Sequence, residues 1–279
     1  MAKMTAYTAA TEMDDSDVFL IDGTDGTRKA AASDVAIELA GMISSINHRD
    51  IYRGKSLGTE VTSAQQAAIK AGTFDDMFIG DYWTINSVEW IIADMDYWYN
   101  TGDTAFATHH LVMVPGLSLS NLYSTQMNSS NTTEGGYVGS LMYTEGLETA
   151  KETISEAFGD LVLTHREYLT NAVTNGYPSA GAWYDSTVEL MNEIMVYGSL
   201  VCAPMGNGSI IPTNYTIDKQ QLALFRLSPR AINNRISAWL RDVVSSTDFA
   251  SVGYDGSCCS HNASGARSVY PVFPIGVAS

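Results

Sequence analysis

The stretch "VEWIIADMDYWY", Val88–Tyr99, decides how the chain is read. It is built from valine, isoleucine, tryptophan and tyrosine, the β-branched and aromatic types that fit a half-buried pleated surface. Two runs of the same character flank it, "MFIGDYWTI" (Met77–Ile85) and "HHLVMVP" (His109–Pro115). Together they predict three strands. Helical signals surround them. "TSAQQAAIKAG" carries a capping box, Thr62 with Gln65, and ends on Gly72. "LETAKETISEAFG" sets Leu147, Ala150, Ile154 and Phe158 on one stripe. Strands mixed with such helices give an α+β class from Ile51 onward.

Two further helices are predicted. "DSTVELMNEIMVYG" offers Ser186 and Glu189 as a capping box, Val188, Met191 and Met195 on one face, and Gly198 as a stop. "SPRAINNRISAWL" offers Ser228 as N-cap, Pro229 at the first helical position, and Ile232, Ile236, Trp239 and Leu240 on one face. Beyond it helical signals cease, and short strands separated by Gly, Ser and Asn run to Phe273.

Residues 1–45 read differently. "DVFLIDGTDGTRKAA" is a hairpin signal, an apolar run before a Gly-Thr-Asp-Gly turn. Ser33 or Asp34 then caps a short helix bearing Val35 and Leu39 and stopped by Gly41. A hairpin and one short helix bury no core alone, so this segment requires copies of itself or a larger body. The domain division is therefore 1–45 and 46–279.

Bulk properties narrow the function. The chain has 279 residues, 45% of them hydrophobic and 16% charged, and a domain of roughly 230 residues buries about 70% of its unfolded surface without staples. A net charge of −16 argues against nucleic acid and against anionic membrane surfaces. No apolar run approaches the ~20 residues that span a bilayer, so membrane insertion is not expected. "MAKMTAYTAATEMDD" lacks an apolar signal core, and a soluble protein made in a cytoplasm is expected. The three cysteines, Cys202, Cys258 and Cys259, form no disulfide framework and are read as reduced thiols.

The candidate chemistry is thin. "RGKS" (Arg53–Ser56) has the tail of a phosphate loop, but Arg49 occupies the position of its required glycine. His109 and His110, with Asp94 and Asp96 upstream, are ligand types, yet adjacent strand residues face opposite ways. "GYPSAG" (Gly176–Gly181) has the wrong spacing for a nucleophile elbow and reads as a turn. No carboxylate pair stands out as a poised acid and base.

The richest cluster lies in "SVGYDGSCCSHNASGARSVYPVF", Ser251–Phe273. Its adjacent cysteines with His261 lack the second ligand pair of a structural zinc site, so no metal and no cofactor is expected. A nucleophilic cysteine would also need a base and an orienting group. From Leu240 to Ser279 there is no Lys, Glu, Gln, Met or Trp. These are the types that codons ending in a pyrimidine cannot encode, so a segment diversified at adenines would show this gap.

Two resemblances follow. "AATEMDDSDVFLIDGTDGTRKAAASDVAIEL" (Ala9–Leu39) resembles the N-terminal segment of phage fibre and tail proteins. Residues Ile51–Gly276 resemble C-type-lectin-like domains of gut phages and Firmicutes, through "YRGKSLG", "GTFDDMFIGDYWTI", "WIIADMDYWYNTGDT", "THHLVMVP", "MNSSNTTEGGYVGS", "WYDSTVELMNE", "LFRLSP" and "WLRDVVSSTDFASV". Tyr270 stands where that family carries an arginine. Some proteins of this kind are targets of diversity-generating retroelements, which rewrite the C-terminal segment. The calcium phrases of sugar-binding lectins do not occur.

The resemblances imply a C-type-lectin-like domain preceded by a short hairpin-helix segment for attachment or trimerisation. They imply a non-enzymatic phage fibre or receptor-binding protein of the virion, a homotrimer joined to other virion proteins through residues 1–45. It would grip a bacterial surface protein or glycan. Its display positions would be Tyr254, Ser257, Cys258, Cys259, Ser260, His261 and Asn262, held outward while Phe249, Val252 and Val269 anchor the strands to a core. Two alternatives are compatible with the same residues: a purely structural capsid or tail decoration protein, and a cysteine-dependent enzyme of related fold.

Overall fold

The computed structural model describes residues 48–116, 123–204, 221–233 and 235–278 in full, and the backbone of 18–23 and 26–31. The chain divides into two compact units, residues 1–47 and 48–279, close to the boundary expected at 45/46. In the first unit, strands β1 (Val18–Gly23) and β2 (Gly26–Ala31) pair antiparallel, with Val18 opposite Ala31 and Gly23 opposite Gly26. This is the expected hairpin. The helix expected near Ser33–Gly41 lies outside the described residues.

The second unit is mixed α+β, with sheet predominating over a few short helices. Helix α1 (Ser63–Ala71) has the predicted capping box, and Gly72 closes it in the left-handed conformation. Strands β3 (Tyr82–Ile85), β4 (Val88–Met95) and β5 (Leu111–Pro115) follow in order. A two-residue turn with positive φ at Asn86 and Ser87 joins β3 to β4, the handedness that matches strand twist. All three apolar runs are thus only partly strand, since Met77–Asp81 precedes β3, "DYWY" leaves β4 as a turn, and His109–His110 precede β5. Short strand β6 (Ser124–Gln126) precedes a π turn at Met142–Gly146, which leads into helix α2 (Glu148–Phe158). Ala150, Ile154 and Phe158 are buried there, as the stripe predicts.

Next comes a long hairpin, β7 (His165–Thr174) and β8 (Tyr177–Ser186), turned at Asn175–Gly176 with both φ positive. Pro178–Gly181 therefore belongs to a strand. The turn expected over Gly176–Gly181 is confined to its first glycine and the asparagine before it.

Two predicted helices are corrected. Strand β9 (Glu189–Leu190) occupies the middle of the segment expected to be helical from Ser186, and helix α3 spans only Glu193–Tyr197. Asn192 caps it through Met195 N, and Gly198 ends it. Ser186 Oγ does bond the Glu189 carboxylate, but across a strand junction; tertiary pairing of Glu189 with Val272 overrides the local helical signal. Likewise α4 (Ala223–Leu227) comes early, and Pro229–Ala231 forms one 3-10 turn. Trp239 and Leu240 then lie in strand β10 (Ala238–Val243). Strands β11 (Asp248–Val252), β12 (Cys258–Asn262), β13 (Ala266–Ser268) and β14 (Pro271–Ile275) complete the chain.

Ten of the described strands form two five-stranded sheets. One has the order β3-β4-β5-β14-β9, the other β12-β11-β10-β13-β6. All of β5 and all of β14 are buried. Trp90 meets Phe158 and Phe273 edge-to-face, each with ring centroids 5.5 Å apart, which seats α2 on the first sheet. Val269 and Tyr270, both buried, carry the chain from β13 in the second sheet to β14 in the first. A buried polar network spans the hairpin and the second sheet. Arg241 on β10 donates to Glu167 on β7 at 3.1 Å and to the Leu190 carbonyl at 3.1 Å, and Trp98 Nε1 donates to the other Glu167 oxygen.

Candidate functional site

Strand β12 is the edge of the second sheet, paired among the described strands with β11 alone, Phe249 facing His261 and Val252 facing Cys258. The turn between them is locally specified. Gly253 N donates to the Ser257 carbonyl at 2.7 Å, and Asp255 accepts from both the amide and the hydroxyl of Ser257. Gly256 sits at φ +83°, and a Cβ there would stand 3.1 Å from Asn233. Tyr197 donates from its hydroxyl to the Gly256 carbonyl at 3.2 Å, tying the turn to α3.

Side chains alternate along β12, so the seven predicted display residues separate. Tyr254, Ser257, Cys259 and His261 line an open groove of about 620 Å³, with Asp255 and Arg267 also on its wall. Tyr254 is its most prominent member, 71% exposed. Cys259 and His261 are half-buried, which corrects the expectation that they stand free. Ser251 Oγ lies 2.8 Å from His261 Nδ1. Burial, and then the charge of Arg267, hold the His261 pKa below its ordinary value, which favours the neutral ring. Beneath the groove Trp239 is fully buried, edge-on to His261, with the Arg267 guanidinium 6.0 Å from its ring centre.

Ser260 and Asn262 are exposed but alternate away from the groove. Cys258 is half-buried and turns inward, its sulfur 2.8 Å from Cys202 Sγ and 3.0 Å from Glu193 Oε1. Burial and these two neighbours push its thiol pKa far upward. All three cysteines are free thiols.

No protein-family model, curated protein or solved structure matches this chain.

The remaining sequence candidates have ordinary partners. Arg53 of "RGKS" pairs with Asp81 and Asp76, and Lys55 pairs with Asp76. His109 bonds Asp96 at 2.7 Å and stacks on Tyr99; His110 bonds the Thr108 carbonyl and accepts from Trp98 N. Asp94 instead receives Arg49 and the amides of Met95 and Ala223. Asp94 thus stands apart, while Asp96 takes both His109 Nδ1 and, at 2.9 Å, the His110 amide. Sequence reasoning missed Asp255 and Arg267, which lie inside the quoted Ser251–Phe273 stretch. It also missed Ser124, brought to the groove through β6 pairing with β13, for which nothing local gives a signal.

Proposed function

We propose that this chain is a virion fibre or receptor-binding protein of a phage, which adheres to a bacterial surface protein or glycan through the groove beside β12. Residues 1–45 attach it to other virion proteins and trimerise it, and residues 46–279 form the lectin-like binding domain. The observation that carries the adhesion reading is the groove itself. It is an open trough on a sheet edge, walled by an exposed tyrosine, a histidine whose neutral form is favoured, a carboxylate and a guanidinium. An exposed aromatic ring flanked by adaptable polar groups suits recognition by contact. Repetition of one weak site on an oligomer multiplies its hold.

A thiol raised well above its ordinary pKa, as Cys258 is, is a poor nucleophile at neutral pH, which weighs against Cys258 as the nucleophile of a cysteine-dependent reaction. The test replaces residues 254–262 of the full chain by Gly/Ser and measures retention on bacterial cells. Loss of retention with unchanged circular dichroism is expected; unchanged retention would contradict the proposal.

A further inference from the structure

On the side of β12 away from the groove, three potential ligands converge from distant parts of the chain. The sulfurs of Cys202 and Cys258 and a carboxylate oxygen of Glu193 all lie within 4.8 Å of one another. Glu193 opens α3 and is fully buried. Its carboxylate is anchored by three successive amides, Val201 N at 2.7 Å, Cys202 N at 2.9 Å and Ala203 N at 3.2 Å. Those same bonds fix where Cys202 stands. The Glu193 amide in turn donates to Asp242 at 2.6 Å. Among the described residues, the donors to its carboxylate are backbone amides and the Cys258 thiol, with no cationic side chain among them.

We propose that Glu193, Cys202 and Cys258 form a binding site for a soft divalent cation of the zinc class. Two thiolates and one carboxylate suit a tetrahedral ion that prefers sulfur ligands. Cys202 and Cys258 are only half-buried, which leaves part of each side chain open to solvent. Binding releases the two thiol protons and replaces the thiol–carboxylate contact by bonds to the ion. Around an ion with ~2.3 Å bonds to sulfur, the two sulfurs must open by about 1 Å from their present contact. The ion would tie β12, the strand behind the groove, to the segment following α3. The inference does not depend on what the groove binds.

The test uses the full-length chain, reduced and handled without oxygen, titrated with cadmium as a spectroscopic probe and then with zinc in competition. The expected result is an ultraviolet sulfur-to-cadmium band at one ion per chain, with two protons released and displacement by zinc. Cys202→Ser and Cys258→Ser should each abolish the band, and Cys259→Ser should keep it. Glu193→Gln should weaken affinity by at least the roughly 10–100-fold that loss of a supporting group causes. The serine variants change one atom, and circular dichroism confirms their fold. Absence of the band in the reduced protein would overturn the proposal, as would its survival in Cys258→Ser or its loss in Cys259→Ser.

Discussion

Ser251 and His261 meet side chain to side chain, Oγ to Nδ1 at 2.8 Å, across the pairing of β11 with edge strand β12. The contact fixes a half-buried imidazole on the groove wall, and Arg267 stands close enough to oppose its protonation. A nuclear magnetic resonance titration should place the His261 pKa below its ordinary 6.5. Arg267→Ala should raise it while leaving it below that value, because burial is the larger cause. A wild-type pKa above 6.5 would refute this arrangement.

Stability should fall as pH rises from about 5 to 8. Burial raises the Glu189 carboxyl from 4.5 to about 7 and the Asp242 carboxyl from 3.8 to about 7. Between the unfolded and folded values the native state holds protons that unfolding releases, so each group's contribution declines with pH across that window and is steady outside it. The expected effect is a few kcal/mol, at about 1.4 kcal/mol per pKa unit. Melting scans at pH 5 and pH 8 check it, and Glu189→Gln with Asp242→Asn should flatten the difference. A melting temperature that rises over this range would contradict the assignment.

The hairpin tip offers a backbone test. Gly176 has φ +80°, and a Cβ there would approach Ser246 N to 2.9 Å. Gly176→Ala should cost at least about 1 kcal/mol, since the left-handed conformation and the close approach both oppose it. Gly265→Ala is the control, because its φ is not in that region and its nearest contact is 3.3 Å. Denaturant unfolding compares them, and equal midpoints would contradict the prediction.

The Arg241–Glu167 pair is buried on both sides. Removing Arg241 takes a buried cationic partner from a carboxylate that also receives Trp98, so Arg241→Met should destabilise the protein by about 3–5 kcal/mol. Replacing both members by apolar residues of similar size should cost less than the single change. A double-mutant cycle in urea measures the difference.

What was legible in the sequence follows the range of the interactions responsible. The capping box at Thr62, the stripe ending at Phe158 and the start of the Val88–Tyr99 strand rest on neighbours a few residues apart; the first two stand as read, and the strand holds over Val88–Met95. The segments Ser186–Tyr197 and Ser228–Leu240 carry local helical signals as well, yet β9 and β10 form there because β14 and β11 supply partners from elsewhere in the chain. The Asn175–Gly176 hairpin was within reach of sequence reasoning, since Asn-Gly is a strong turn signal, but the proline and glycines after it suggested a longer turn. In the site, alternation along β12 was the missing step. It places Cys259 and His261 in the groove and sends Cys258 to Glu193 and Cys202, residues that only folding brings near.

That alternation gives the central claim its sharpest test, because the groove side and the reverse side of one strand can be altered separately. Retention of the labelled full-length protein on a panel of bacterial envelopes should drop at least tenfold, about 1.4 kcal/mol, for Tyr254→Ala combined with His261→Ala. The same measurement on Ser260→Ala combined with Asn262→Ala should match wild type. Equal loss from both pairs, loss only from the second, or binding to no envelope at all would contradict an adhesive groove.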